Sequence, residues 1–444
     1  IERYRLPERR TGKAKHPNSK GVEMTEVTKA RATAAAVGCA IILTTGTGMT
    51  NVLNAMIPDI MVGLGNPPLT LFMLGPSVAT IMAFLGSMVA TKLIEKLTPK
   101  WSLLIGTICV TLMLTVFAVA DHVWMWIAAN AVNGIVMSFG AHAAASGVTA
   151  KFWGSRTQSV YGIVSGVYSL MCAAEVFLGA WLLSIADYRT AMWFLVVSCL
   201  VLGVGANLLL IGKIPGKPLH FKEDDVKVEE TPVTQIGVDL STALKSPCFY
   251  FFAAVVFIGA WAMSAIGSFS TVFFTTYGVD SATAASWFGI HTLAGAILML
   301  FAGFLTNKFG ARTTGVIVFG LFIIGIVSLF VWSSAGGFPL VFAGMALTST
   351  ILVVAILPSL FIPDLFGMKH YTSINAACMA AYFLGHTVVM VALSGLTEMM
   401  GINNAFLFTA FLGAIAIACM ILAYATRPMK KLEKKDAGTA LSES

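Results

Sequence analysis

"KIPGKPLHFKEDDVKVEETPVTQIGVDLSTALKSP", residues 213–247, is polar, highly charged and interrupted by proline. The chain on either side of it is almost continuously apolar. A helix needs about 20 apolar residues to cross a bilayer. Runs of that length fall at 34–58, 69–93, 101–120, 123–149, 159–185 and 191–212 before the stretch. Six more follow, at 248–275, 282–306, 314–333, 338–361, 372–397 and 403–425. The stretch therefore reads as a linker between two bundles. The pattern predicts an all-α integral membrane protein with twelve transmembrane helices in two six-helix pseudo-repeats. Its parts are a segment 1–33, a bundle 34–212, the linker 213–247, a bundle 248–425 and a tail 426–444.

Composition agrees. Apolar residues make up 57% of the 444 and charged residues 11%, where a soluble domain carries about 25% charged residues. The net charge of +7 is distributed with a strong bias. Of the 28 lysines and arginines, 27 fall in segments on the N-terminal side of the spans and only Arg189 on the other. Positive charge marks the cytoplasmic side, so both termini and the linker are expected in the cytoplasm, with the chain in the cytoplasmic (inner) membrane. The basic excess is then a signal to an anionic leaflet, and no nucleic-acid partner is expected. The seven cysteines lie in or beside apolar runs without a C-x-x-C pair. They read as packing residues, and neither a metal nor a cofactor is expected. P-loop, H-E-x-x-H and G-x-S-x-G motifs are absent, which argues against an ATP-driven pump or an enzyme. No signal-type segment precedes the first span, and Met24 is a candidate start.

The halves echo each other. "KFWGSRTQS" (151–159) and "LFGMKHYTS" (365–373) each place an aromatic-Gly-x-basic turn ahead of a span. "GSMVATKLIEKL" begins at Gly86 and "GFLTNKFGAR" at Gly303. The offsets are 211–217 residues throughout, which implies parallel six-helix repeats.

"GFLTNKFGAR" resembles the G-x-L-x-D-[RK]-x-G-R loop signature of the major facilitator superfamily. Gly303, Leu305, Lys308, Gly310 and Arg312 match, and Asn307 stands at the Asp position. The resemblance implies the major facilitator fold, transport by alternating access, and a gating loop made of Gly303, Lys308, Gly310 and Arg312. It also implies a cavity lined by spans 1, 4, 7 and 10. Within the superfamily, "KFWGSRTQSVYGIVSG" and "DLFGMKHYTSINA" resemble the oxalate:formate antiporter and monocarboxylate porter group. That group holds carboxylates with basic residues inside the membrane, at positions that fall here on Met299 and Tyr382. Monoanions or larger amphipathic acids are therefore expected over a small dianion.

Inside the spans, Glu175 is the one carboxylate placed deep. An ionised carboxylate at mid-bilayer costs at least about 2.5–3.5 kcal/mol, so Glu175 is expected to be neutral at rest. Two readings are open: a protonated Glu bonded to a neighbouring helix, or a proton or cation site. Three histidines are also embedded: His142, His291 and His386. His142 and His291 read as packed hydrogen-bonding residues or as cargo ligands. His386 precedes Glu398 by twelve residues, as Glu175 precedes Asp187, so the two groups are expected at matched depth, about 18 Å of helix from the span ends. Helical spacing puts Tyr161, Tyr168 and Glu175 on one face of span 5, and Asn375, Tyr382 and His386 on one face of span 11. Span 1 carries a stripe of Thr44, Thr47, Asn51 and Asn54, and span 7 one of Trp261, Ser264 and Ser268. Such stripes face protein or water, either as interhelical hydrogen bonds or toward cargo. Gly162 and Gly166 read as a close-packing pair.

The expectation is a secondary active transporter moving a small organic acid with protons across the bilayer, acting as a monomer. Asn51, Asn54, His142, Tyr168, Trp261, Ser264, His291, Asn375, Tyr382 and His386 are its candidate cargo residues, with Glu175 and His386 coupling the proton. The alternatives are a proton-driven exporter of apolar or aromatic compounds, and a non-transporting sensor of the same fold.

Overall fold

A computed structural model of the chain describes residues 28–139, 142–215, 218–219 and 237–430. Most of the segment 1–33, of the linker's centre and of the tail expected from sequence lies outside these residues.

The described chain is helical. Its spans are α1 (Lys29–Ala55), α2 (Leu69–Leu97), α3 (Pro99–Val119), α4a (Val123–Phe139), α4b (His142–Trp153), α5 (Thr157–Ile185) and α6 (Tyr188–Ile211) in the first half. The second half has α7 (Pro247–Thr276), α8 (Ser281–Phe309), α9 (Ala311–Ala335), α10 (Phe338–Ile356), α11 (Tyr371–Met400) and α12 (Ile402–Ala425). Eleven helices among the described residues are long and apolar enough to cross a membrane. The fourth expected span corresponds to α4a and α4b, which flank residues 140–141, outside the described set.

Local chemistry sets the boundaries. Ser246 caps α7, its hydroxyl accepting from the Cys248 N–H (3.2 Å), with Pro247 at the first helical position. Asp280 caps α8 by accepting from the Thr283 N–H (2.9 Å). Each satisfies a backbone donor that the helix start leaves open. The first and last described residues and the described flanks of the linker lie at the same ends of their spans, the terminal face. There Arg31 donates to the Lys213 carbonyl (2.6 Å), and the Tyr424 hydroxyl donates to Asp364 (3.4 Å).

The echoed turns have a shared physical role. Gly154 and Gly367 both have positive φ (+51° and +79°), a region open to glycine because it has no Cβ. Beside each, the linker is tied down: the Leu219 N–H donates to the Phe152 carbonyl and the Val238 N–H to the Phe366 carbonyl, both at 2.9 Å. The other repeated turn is also preserved in backbone but not in residue. Gly310 sits at φ 80°, ψ 152°, and its counterpart Thr98 at φ 65°, ψ 149°. Thr98, at the matching end of α2, thus holds a left-handed conformation that is strained for a residue with a Cβ.

Small residues let helices meet. A Cβ on Gly134 of α4a would run into the Ala79 carbonyl of α2, and one on Gly385 of α11 into the Phe257 carbonyl of α7. In hydrocarbon this backbone proximity, not water exclusion, drives helix association. Of the glycine pair expected in α5, Gly166 packs against Leu300 of α8, but Gly162 has nothing within 4 Å. The pairing is therefore one close contact between halves and not a two-glycine seam. The halves meet along α5–α8 and α2–α11.

Candidate substrate and coupling site

The first-half site is built where α1 leaves regular α geometry. Residues Thr44–Gly48 form a π-helical turn, a local widening that recurs at functional positions. The hydroxyls of Thr44, Thr45 and Thr47 donate back to the carbonyls of Ala40, Ile41 and Leu43 (2.8, 3.0 and 3.0 Å). The turn ends on Gly48, where a Cβ would stand 2.9 Å from both Cys172 Sγ and Glu175 Oε2. The missing side chain is what brings the carboxylate of α5 against the backbone of α1. Glu175 Oε2 is buried and has no hydrogen-bond partner. Of the two readings of Glu175, a carboxyl satisfied by a neighbouring helix does not describe this oxygen.

Other groups gather beside it. Thr47 Oγ1 and Tyr168 Oη are 3.3 Å apart. Asn51 and Tyr168 are both hydrogen-bond neighbours of the Cys172 thiol. His142, at the start of α4b, is exposed despite its place within the fourth span. Its Nδ1 is 3.0 Å from the Tyr161 hydroxyl, which donates to the His142 carbonyl (3.0 Å), and its ring meets Tyr168 edge-on at 5.1 Å. The stripe read on α5 is therefore one cluster with α1 and α4b.

The second-half group is smaller. His386 Nδ1 is hydrogen-bonded to the Ser264 hydroxyl of α7, and the Tyr382 ring stands edge-on to the imidazole at 4.4 Å. The Tyr382 hydroxyl donates to Met263 Sδ (3.7 Å). Asn375 lies one turn into α11, its Oδ1 buried and unpartnered.

Other expected residues have partners within the protein. Trp261, expected toward cargo, is buried, and its Nε1 donates to Thr409 of α12 (3.2 Å), behind α7. His291 is 2% exposed, stacked on Phe288 with Nδ1 3.2 Å from the Thr348 hydroxyl of α10 in its own half, and its Nε2 is buried without a hydrogen-bond partner. Asn54 is engaged by α7: Ser268 donates to its Oδ1 (3.4 Å) and Thr271 to its carbonyl (3.0 Å). Glu175 and His386 are not joined by a hydrogen bond. His386 uses Ser264, and Glu175 rests on Gly48 and Cys172. The loop residues Lys308 and Arg312 are exposed on the terminal face, with Lys308 Nζ 5.4 Å from the centre of the Phe309 ring. Gly303 is within α8 and Gly310 forms the turn. Sequence reading missed Gly48 and Cys172, because a lone glycine in a Thr/Gly-rich span has no distinguishing pattern until its neighbour is known.

This arrangement, two helical bundles around polar groups buried at mid-span, defines a multi-pass membrane transporter. The sequence profile of the Major Facilitator Superfamily matches residues 38–362, and the chain belongs to that family. No curated protein matches it in sequence. Among solved structures it is similar to a bacterial homologue of the human lysosomal transporter Spinster, in an inward-facing conformation. That likeness has TM-score 0.68 and 15% identity, over 90% of this chain and 98% of that one. It is similar also to the nucleoside transporter NupG, with TM-score 0.67 and 13% identity, over 89% and 99%. At these identities the likeness is one of fold.

Proposed function

We propose that the chain is a proton-coupled transporter of small monocarboxylic or amphipathic organic acids across the cytoplasmic membrane, with the terminal face in the cytoplasm. The observation that carries the coupling is Glu175: a mid-span carboxylate with a buried oxygen that no donor satisfies. Neutral, it crosses an occluded state cheaply; ionised, it must face water or a cation. That difference ties protonation to conformation. Cargo is held by neutral donors: the His142 imidazole, Asn51, Tyr168, and the Ser264–His386–Tyr382 group. Such a set suits a weak acid that travels with its proton, since imidazole holds the anion when protonated and the acid when neutral. Lys308 and Arg312 act on the terminal-face gate through the family's loop signature.

Proteoliposomes with an imposed pH gradient test this. Labelled small monocarboxylates should accumulate, while a nucleoside and a cationic dye should not. Gradient-driven movement of the nucleoside or dye in place of the acids would replace the cargo class. For orientation, a cysteine placed at 220–230 should react only with reagent supplied from the cytoplasmic side.

A further inference from the structure

The hydrogen bonds described between the halves cluster toward the face opposite the termini. Glu398, close to the end of α11, accepts from the Thr70 N–H (3.0 Å) and the Thr70 hydroxyl (2.8 Å) in the first turn of α2. Thr271 and Ser268 of α7 hold Asn54 near the end of α1. Deeper, Ser77 of α2 donates to the Thr387 carbonyl of α11 (3.1 Å). In the reverse direction Asp59 of the first half faces Ser281 at the start of α8, with its Oδ2 buried and unpartnered. Spans α2 and α8 are repeat equivalents. Glu398 thus lends a carboxylate to the first turn of α2, where free backbone N–H groups and the helix dipole favour negative charge, and Asp59 faces the start of α8, whose Thr283 N–H is already held by Asp280.

We propose that the Glu398–Thr70 and Asn54–Thr271 contacts, with Asp59 at Ser281, are the latch that closes this face, and that parting them admits the state open to the opposite side. The geometry suits a reversible catch. Deeper in the walls, glycines of α5 and α8 meet large side chains of the other half, Gly166 against Leu300 and Gly289 against Phe177, and Phe84 of α2 meets Phe383 of α11 at 5.8 Å, whereas the latch contacts lie near the span ends and part as the halves rock. Glu398 is exposed, so water replaces Thr70 as soon as the pair parts, and the catch shifts populations without freezing them. Asn54 then governs which face is open and not how tightly cargo is held. The proposal does not depend on which group carries the proton.

The test uses a full-length chain with its native cysteines replaced and one reporter, His142→Cys, labelled in vesicles by an impermeant maleimide from either face. Glu398→Gln should raise opposite-face labelling about two- to five-fold and lower terminal-face labelling. Unchanged rates from both faces would overturn the latch. A Thr70→Cys/Glu398→Cys pair, closed to a disulfide by mild oxidation, covers the case in which Glu398→Gln inserts poorly. It should abolish opposite-face labelling, keep terminal-face labelling, and recover on reduction. Failure of the pair to close, or opposite-face labelling that survives closure, also overturns it.

Discussion

The two halves share a topology but differ in what they bury. The second half is an aromatic solid. Phe273 stacks on Phe406 at 5.1 Å and meets Phe274, Tyr277 and Trp332, while Trp287 closes on Phe274 and Trp332 at 4.9 and 5.7 Å. Its embedded histidines, His291 and His386, are packed into it or bonded to a serine. The first half instead has π-helical turns in α1 and α6, an exposed His142 and a carboxyl oxygen with no partner. Repeated folding units thus differ in packing. One is a packed aromatic body, and the other sets the Glu175 carboxyl of α5 against the π turn of α1.

That contrast breaks most sharply at Glu175. Glu175→Gln fixes the neutral form and should abolish pH-gradient-driven accumulation while sparing exchange of cargo. Accumulation with normal pH dependence would falsify the coupling role and leave the first half without special chemistry. Next in size is a change in the aromatic half. Phe273→Ala empties a fully packed ring site and should cost about 3–5 kcal/mol, seen as a lower unfolding temperature in detergent with coupling intact in the surviving protein. A loss of coupling at normal stability would mean the aromatic body is not a passive support.

Ser264→Ala removes the partner of His386 Nδ1, and an unsatisfied buried group costs about 1–3 kcal/mol. Cargo affinity should fall by ten-fold or so, with accumulation still driven by the imposed pH gradient. Loss of that coupling would place the coupling step in the second half as well. Gly48→Ala sharpens the first-half assignment. Its methyl must displace the Cys172 and Glu175 side chains, so coupling efficiency should drop several-fold with expression retained, read as the ratio of accumulated cargo to imposed gradient. The smallest effect belongs to Arg189 on the opposite face. It pairs with Asp121 at 2.7 Å, and its hydrogen bond and charge hold the Asp121 carboxyl below the usual range. The pair is exposed, so Arg189→Ala should change thermal stability by no more than about 1 kcal/mol and leave transport alone.

The sequence by itself determined the membrane-spanning helical class, and it carries the expected linker and repeat. These follow from one-dimensional quantities: runs of apolar residues long enough for a bilayer, the side on which lysine and arginine fall, and turn motifs at a constant offset. It also singled out Glu175, because a carboxylate among apolar residues is conspicuous whatever surrounds it. Facing was another matter. Trp261 and Ser264 share the stripe on span 7, and Asn54 lies on the stripe of span 1, yet Trp261 turns to α12, Asn54 is held by α7 and only Ser264 meets His386. A helical stripe of three residues is broader than the angle separating a cavity from a neighbouring helix, so spacing alone could not assign them. The unpartnered oxygen of Glu175 and the role of Gly48 were decided only by tertiary structure, since both depend on how closely α1 and α5 approach. That distance is set by the π turn and by a side chain that is absent, and neither leaves a mark in hydrophobic periodicity.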